Sequence, residues 1–345
     1  METMKALLYT APKTLEILDI SKPEVGPGEV LVKILASCIC GSDVHGWFGT
    51  NGRRTAPMVM GHEFSARVEA LGEGVKNLAV GDVVAVQPCW SCFDCSYCKA
   101  GKNHICPNKR FLGVFSNNGG MQEYISVLEK YCFRLPDGME PRVGALVEAF
   151  AVSYAAIKKA GDLRGKNVLI IGGGTIGLLA LVAANLQDPK QIVVSDLSAK
   201  RLDIAKKFGA TDVINSQTEN FDTRVRELFG EEGADVTIEA VGIEATANQA
   251  ISATASGGIS VWIGNNQKNI TVDMQEIVTR EIIVKGTYIY THEEFGEALN
   301  MLPKLDLDLF LSQCMEISLD EAEAMFKALA DDPEKCLRSI IMFRD

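Results

Sequence analysis

Hydrophobic and polar positions alternate in two different ways along this chain. Over the first 150 residues the apolar stretches are short and broken by Gly and Pro, as in GEVLVKILAS (28–37) and GDVVAVQP (81–88). That pattern predicts strands joined by turns. From about Ala151 onward, compact apolar runs (NVLIIG, QIVVSD, DVI, ADVTIEA, GISVWIG and EIIVKG) alternate with amphipathic segments such as TIGLLALVAANLQ, SAKRLDIAKKFGA and FDTRVRELF. Six strand candidates with helices between them predict an α/β region built on a doubly wound parallel sheet. The remainder, roughly 287–345, predicts helices and one closing strand, SIIMF. At 345 residues, with no repeat, low-complexity tract or long linker, the chain is expected to form two domains.

Composition narrows the function classes. The chain is 47% hydrophobic, but no apolar run is long enough to cross a bilayer, and METMKALLYTAPKTLEI lacks the apolar core of a signal peptide. A cytoplasmic protein is the expectation. A net charge of −11 argues against nucleic acid or an anionic membrane as partner and leaves a small-molecule ligand. Ten cysteines in such a chain point to reduced thiols and metal ligation rather than disulfides.

The cysteines carry the sharpest signal. Cys92, Cys95, Cys98 and Cys106 are spaced C-x2-C-x2-C-x7-C. Four thiolates from one short segment suit a closed tetrahedral Zn²⁺ site. A second, mixed set comprises Cys40 in CGSDVH and the pair His62-Glu63 in GHEF. Too few strong ligands are present to close a shell, which is how a catalytic zinc keeps a position for water or substrate. Taken singly, Cys40 also fits a buried small hydrophobe and Glu63 a residue that orients a ligand without touching metal. Cys38, Cys89, Cys132, Cys314 and Cys336 fall outside both patterns, and His104 is expected on the surface of the cysteine lobe.

After the strand VLII, Gly172-Gly173-Gly174-Thr175-Ile176-Gly177 fits the dinucleotide fingerprint G-x-G-x-x-G and opens a helix. Its glycines allow a tight turn and close approach of a pyrophosphate to the helix N-terminus. Asp196 closes the next strand, where its carboxylate would accept hydrogen bonds from the adenosine ribose and repel a 2′-phosphate, so NAD is expected over NADP. Lys200 and Arg201 follow directly behind it, two cations of the kind that receive the 2′-phosphate of NADP. Arg201, Val241 and Ile263 complete the candidate cofactor set.

The chain resembles the zinc-dependent medium-chain alcohol dehydrogenases, nearest their polyol branch of sorbitol- and galactitol-phosphate-type enzymes. The resemblance runs the full length and is carried by CGSDVH (40–45), GHEF (61–64), the cysteine lobe (92–106), GGMQEY (119–124), EAFAVS (148–153), GGGTIG (172–177) and VVSDLSAKRL (193–202). It implies a GroES-like catalytic domain, residues 1–152 with 287–345, interrupted by a Rossmann domain, 153–286, with the cofactor in the cleft between. It implies two zinc ions, the catalytic one held by Cys40, His62 and either Glu63 or Glu148. It further implies a proton relay through Ser42 and His45, hydride transfer between a secondary alcohol and NAD, and a homodimer or homotetramer.

Three positions depart from the family pattern. Ala66 replaces a glycine, Ala149 replaces the proline of EPLAV, and Ile289 stands where the polyol branch has an arginine that contacts substrate hydroxyls. The last puts free sorbitol in doubt. Arg53 and Arg54, in TNGRRTAP, are then the obvious source of an anchoring charge for a phosphorylated polyol, against the plainer reading of a solvated basic turn. Diol- and threonine-type dehydrogenases are the alternatives within the family. A zinc-free reductase or a non-catalytic nucleotide-binding module would be the alternatives outside it.

Overall fold

The computed structural model describes residues 2–50, 52–115 and 117–344. The chain divides into two compact units, Met1–Glu148 with Thr291–Asp345, and Ala149–Tyr290. The seams fall four residues before and four after the expected 152/153 and 286/287, since the helix Val147–Ala160 runs through the first without a break.

The first unit is built on a seven-stranded sheet around β1 (Glu29–Ile39), α1 (Gly41–Trp47) and β2 (Phe64–Leu71). Across the sheet the order is Cys132–Arg134, Val83–Val86, β2, β1, Arg338–Met342 and Cys314–Ile317, with Tyr124–Leu128 also paired to β1. The strand Cys314–Ile317 lies in the stretch expected to be helical before SIIMF; four residues are too few to show a period of two. It pairs in parallel with Arg338–Met342, which gives it its place. One core cluster, with Val32, Ile34, Phe64, Val84 and Tyr131, fills one region of this unit. A second, with Trp47, Met60, Met121, Phe326 and Ile341, packs α1 and the helix Ala322–Asp331.

Two registers bring the chemistry of this unit together. In β1 and β2, Ser37 pairs with Phe64 and the Cys38 amide donates to the Glu63 carbonyl at 2.8 Å. Cys40, just past the end of β1, therefore sits beside His62-Glu63, just before β2. On the other edge of β1, Ser339 pairs with Ile39, which brings Arg338 to the same end of the sheet.

In the second unit, β3 (Asn167–Ile171), β4 (Gln191–Asp196), β5 (Asp212–Asn215), β6 (Ala234–Glu239), β7 (Thr254–Trp262) and β8 (Ile283–Gly286) form a parallel sheet in the order β5-β4-β3-β6-β7-β8. The chain winds outward from β3 in one direction and then, from β6, in the other. The reversal between β3 and β6 is the point at which such sheets open a crevice beyond the strands' carboxyl ends.

Candidate active site and metal centres

The four-cysteine lobe is geometrically ready for a metal. Its Sγ–Sγ distances are 3.5 Å (Cys95–Cys98 and Cys92–Cys106), 3.8 Å (Cys95–Cys106) and 3.9 Å (Cys92–Cys98). Zinc bonds of about 2.3 Å in a tetrahedron place sulfurs about 3.8 Å apart. None of these thiols forms a disulfide. The lobe is latched by buried Asn103, whose side chain accepts from the His292 amide at 2.8 Å and donates to Glu293 at 3.1 Å. His292 itself contacts Gln87 Oε1 through Nδ1 at 2.6 Å and meets Phe93 and Tyr131 edge-on. Burial holds its imidazole below the ordinary histidine range. His104, expected at the surface, is half-buried.

Cys40, His62 and Glu63 form the second centre, with one ligand atom from each all within 4.8 Å of one another. Local sequence explains the placement. Cys40 precedes the first turn of α1, and its amide donates to Asp43 Oδ2 at 3.2 Å. The loop before His62 turns at Gly61, whose φ of +94° favours glycine. A Cβ on Gly113, or on Gly119 of GGMQEY, would overlap the Gly61 carbonyl, so glycine is needed at both positions to seat that loop.

Buried charges surround these ligands. His62 Nδ1 stands 3.3 Å from Asp43 Oδ1, which leaves Nε2 as the nitrogen free to face a metal. Asp43 Oδ1 also accepts from Arg54 Nη2 at 2.6 Å. Burial alone would raise the Asp43 carboxyl, but His62 and Arg54 outweigh it and hold it well below the usual carboxylate range. Burial likewise raises the Cys40 thiol; the hydrogen bond with His62 and the charges of Arg338 and His62 bring it down to about 6. A thiol poised there is a ready metal ligand at neutral pH. Glu63 Oε1 pairs with Arg338 Nη2 at 3.2 Å, both side chains being buried, while Oε2 has no hydrogen-bond partner. Burial pushes this carboxyl up to about 8 despite the nearby arginine. An orphaned buried carboxylate oxygen next to a thiol and an imidazole is a donor set that suits zinc.

The other candidates in this unit are placed differently. Ser42 is half-buried and its Oγ accepts from Arg54 Nη2 at 3.2 Å; His45, one turn further on, is exposed. Glu148 is buried but does not belong to the group of ligand atoms formed by Cys40, His62 and Glu63. The expectation of Arg53 and Arg54 as a paired anion site is overturned. Arg53 is exposed, whereas the Arg54 side chain is 2% exposed and bound to Asp43 and Ser42, so it cannot reach a substrate phosphate. Asn51 of that loop lies outside the described residues. Asp43 and Arg338 were missed by the sequence reading. CGSD already showed the aspartate, but nothing local signalled Arg338.

The cofactor candidates gather beyond the carboxyl ends of adjacent strands of the second unit. Gly172 to Gly177 follow β3, Asp196 ends β4, Val241 lies after β6 and Ile263 after β7. Gly172 has φ +105°, and a Cβ there would come within 2.7 Å of Val241 Cγ2. A Cβ on Gly177 would overlap the Gly172 carbonyl, so the helix Thr175–Asn185 can begin here only with glycine. Ser153 of EAFAVS donates to the Ile176 carbonyl at 2.9 Å. The Asp196 carboxylate accepts from the Gly173 amide at 2.6 Å and the Ser198 amide at 2.9 Å, with Arg201 3.8 Å away. Buried Glu239 braces the neighbouring turn by accepting from the amides of Val241 and Gly242, at 2.9 and 2.7 Å. Ile289 is a β-branched residue at φ +43°, a strained conformation.

A β-rich unit carrying two zinc-suited clusters, together with a parallel-sheet unit carrying a dinucleotide turn, defines an alcohol dehydrogenase of the zinc-binding class. The sequence profile of the alcohol dehydrogenase GroES-like domain matches residues 26–137, and that of the zinc-binding dehydrogenase domain matches 175–304. Sorbitol dehydrogenase of Ovis aries is 37% identical over 302 residues, 86% of this chain and 85% of that protein. Galactitol-1-phosphate dehydrogenase from Escherichia coli superposes with a TM-score of 0.90 at 29% identity, covering 99% of this chain and all of the other. A zinc-binding dehydrogenase of Sinorhizobium meliloti 1021 bound to NADP gives 0.91 at 28%, with 99% and 100% coverage. The chain belongs to the zinc-dependent medium-chain alcohol dehydrogenase family, among relatives of the polyol branch, and is an oxidoreductase acting on CH–OH donors. No described helix is long and apolar enough to cross a membrane.

Proposed function

We propose that this chain oxidises a secondary alcohol of a neutral polyol or sugar alcohol to the ketone, with NAD as the hydride acceptor. The observation that carries the reading is the convergence of Cys40, His62 and Glu63 beside Asp43 and Arg338. Cys40, His62 and Glu63 would hold the catalytic zinc, with Glu148 as a reserve ligand. Cys92, Cys95, Cys98 and Cys106 would hold a structural one. Bound zinc supplies a Lewis acid that lowers the pKa of a substrate hydroxyl. The protein's own residues do the rest. Asp43 fixes the His62 ring through Nδ1, and Arg338 restrains Glu63 at one oxygen. Ser42 takes the substrate proton and His45, exposed on α1, passes it to solvent. Gly172, Gly174, Thr175, Ile176 and Gly177 would cradle the pyrophosphate, Asp196 with Arg201 beside it would meet the adenosine ribose, and Val241 and Ile263, beyond β6 and β7, would line the cofactor further across the sheet.

A neutral substrate is favoured because Arg54, one of the two candidate anchors for an anionic group, is committed to Asp43 and Ser42. Two cationic side chains beside Asp196 and the NADP-bound relative keep NADP as the second reading of the cofactor. The test is a panel of polyols, their phosphates, 2,3-butanediol and threonine, followed by NADH or NADPH absorbance. Turnover of unphosphorylated polyols with NAD supports the proposal; activity confined to phosphorylated polyols, or to threonine, would contradict it.

A further inference from the structure

Arg54 is the buried cation that neither the ligand set nor the substrate reading uses. Its side chain is 2% exposed and Asp43 is 0% exposed. One nitrogen, Nη2, donates to both Asp43 Oδ1 at 2.6 Å and Ser42 Oγ at 3.2 Å. The chain makes room for it on purpose. Gly46 lies on α1 where a Cβ would come within 2.7 Å of Arg54 Cγ, so the stem crosses the helix only because that position is glycine. We propose that Arg54 is a positioning residue for the reaction, one guanidinium that locks the aspartate behind His62 and the relay hydroxyl of Ser42 into a single geometry.

The inference rests on the proposed function, and Arg54 acts through two partners. Asp43 uses Oδ2 for the Cys40 amide and Oδ1 for both Arg54 and His62, so it is tied to two metal-ligand residues at once. Without Arg54 the buried carboxylate would lose its shortest ion-pair contact and be free to turn away from the imidazole. At Ser42, the Arg54 N–H occupies one of the hydroxyl oxygen's two lone pairs. One lone pair and the O–H remain. The oxygen can then accept a proton from the substrate hydroxyl only as it gives its own onward, which makes the transfer directional. A planar fork of fixed donors suits this double duty better than a flexible ammonium.

The experiment uses the full-length holoenzyme and three variants: Arg54→Met, Arg54→Lys and Gly46→Ala. The last keeps every functional group but crowds the arginine. The first readout is zinc per chain across a chelator titration, which does not depend on turnover. Arg54→Met is expected to surrender one of its two zinc ions at about ten- to a hundredfold less chelator than wild type, while the four-cysteine zinc stays. Its kcat is expected to fall by a similar factor with KM for the alcohol changing little. Arg54→Lys should restore part of both losses, and Gly46→Ala should move both in the same direction as Arg54→Met. If Arg54→Met retains both ions at wild-type chelator concentrations and keeps kcat within about twofold, Arg54 is only packing and the inference fails. If Arg54→Met does not fold, wild-type zinc retention and kcat in both other variants overturn it equally. A wild-type chain that never holds more than one zinc would instead sink the proposed function, with the four-cysteine lobe as the remaining site.

Discussion

The two metal-suited clusters are opposite solutions to holding an ion. The lobe takes four identical donors from fifteen consecutive residues, with Cys92 exposed, and needs little from the rest of the fold beyond the Asn103 latch. The Cys40 centre takes different donors from two segments brought together by the pairing of β1 with β2. It wraps them in Asp43, Arg54 and Arg338, all buried. A closed set of thiolates contributes to folding directly. A mixed set leaves donors weakly held, and the surrounding ion pairs do the work of keeping them aimed. One cluster is built for permanence and the other for exchange.

The largest expected effects separate the two. Cys98→Ser should lower the thermal midpoint steeply or leave the protein insoluble, because structural zinc supplies on the order of 10 kcal/mol in small sites. Cys40→Ser should fold normally by circular dichroism, keep one zinc, and lose activity by about a thousandfold or more, since Lewis-acid polarisation supplies several kcal/mol. If Cys40→Ser were the unstable variant and Cys98→Ser the inactive one, the contrast would be reversed.

Arg338→Met should come next. It leaves Glu63 buried without its ion partner, which costs about 3–5 kcal/mol in comparable cases. Urea unfolding of the zinc-loaded protein measures this; an unchanged midpoint would show that the carboxyl is held by something other than the arginine. Smaller still, Asp196→Ala should move the kcat/KM ratio toward NADP by about tenfold or more, by removing the repulsion of the 2′-phosphate. No change in the ratio would take Asp196 out of the ribose site.

What was legible in the sequence follows the same division. The cysteine lobe, CGSDVH, GHEF and the glycine turn could be read because their residues are neighbours in sequence and their geometry is local. The doubly wound sheet was legible for a similar reason, its central strands β3 and β4 being buried on both faces and therefore continuous apolar runs. Arg338 was not, because it reaches Glu63 only through the register of Ser339 with Ile39 across the sheet. Arg53 and Arg54 are adjacent in sequence but end in opposite environments. The difference is set by the space at Gly46, which no local pattern reveals.

The smallest effect concerns the lobe's latch. Burial lowers the His292 pKa, so the unfolded chain takes up a proton there more readily than the folded one. Its contribution to stability is therefore fully present above the ordinary imidazole value of about 6.5 and is lost as pH falls from there through the lower folded value. The urea midpoint should fall between pH 7 and 5, with a shallower slope in His292→Phe. An identical slope in the two proteins would remove His292 from the latch's pH response.

The most direct test of the contrast between the clusters is a chelator titration of the wild-type enzyme, with zinc content and activity measured on the same samples. The account predicts two zinc ions per chain, the first lost at low chelator together with all activity while the fold is intact, the second lost only at high chelator together with the fold. Both ions leaving together, or full activity persisting after the first has gone, would contradict it.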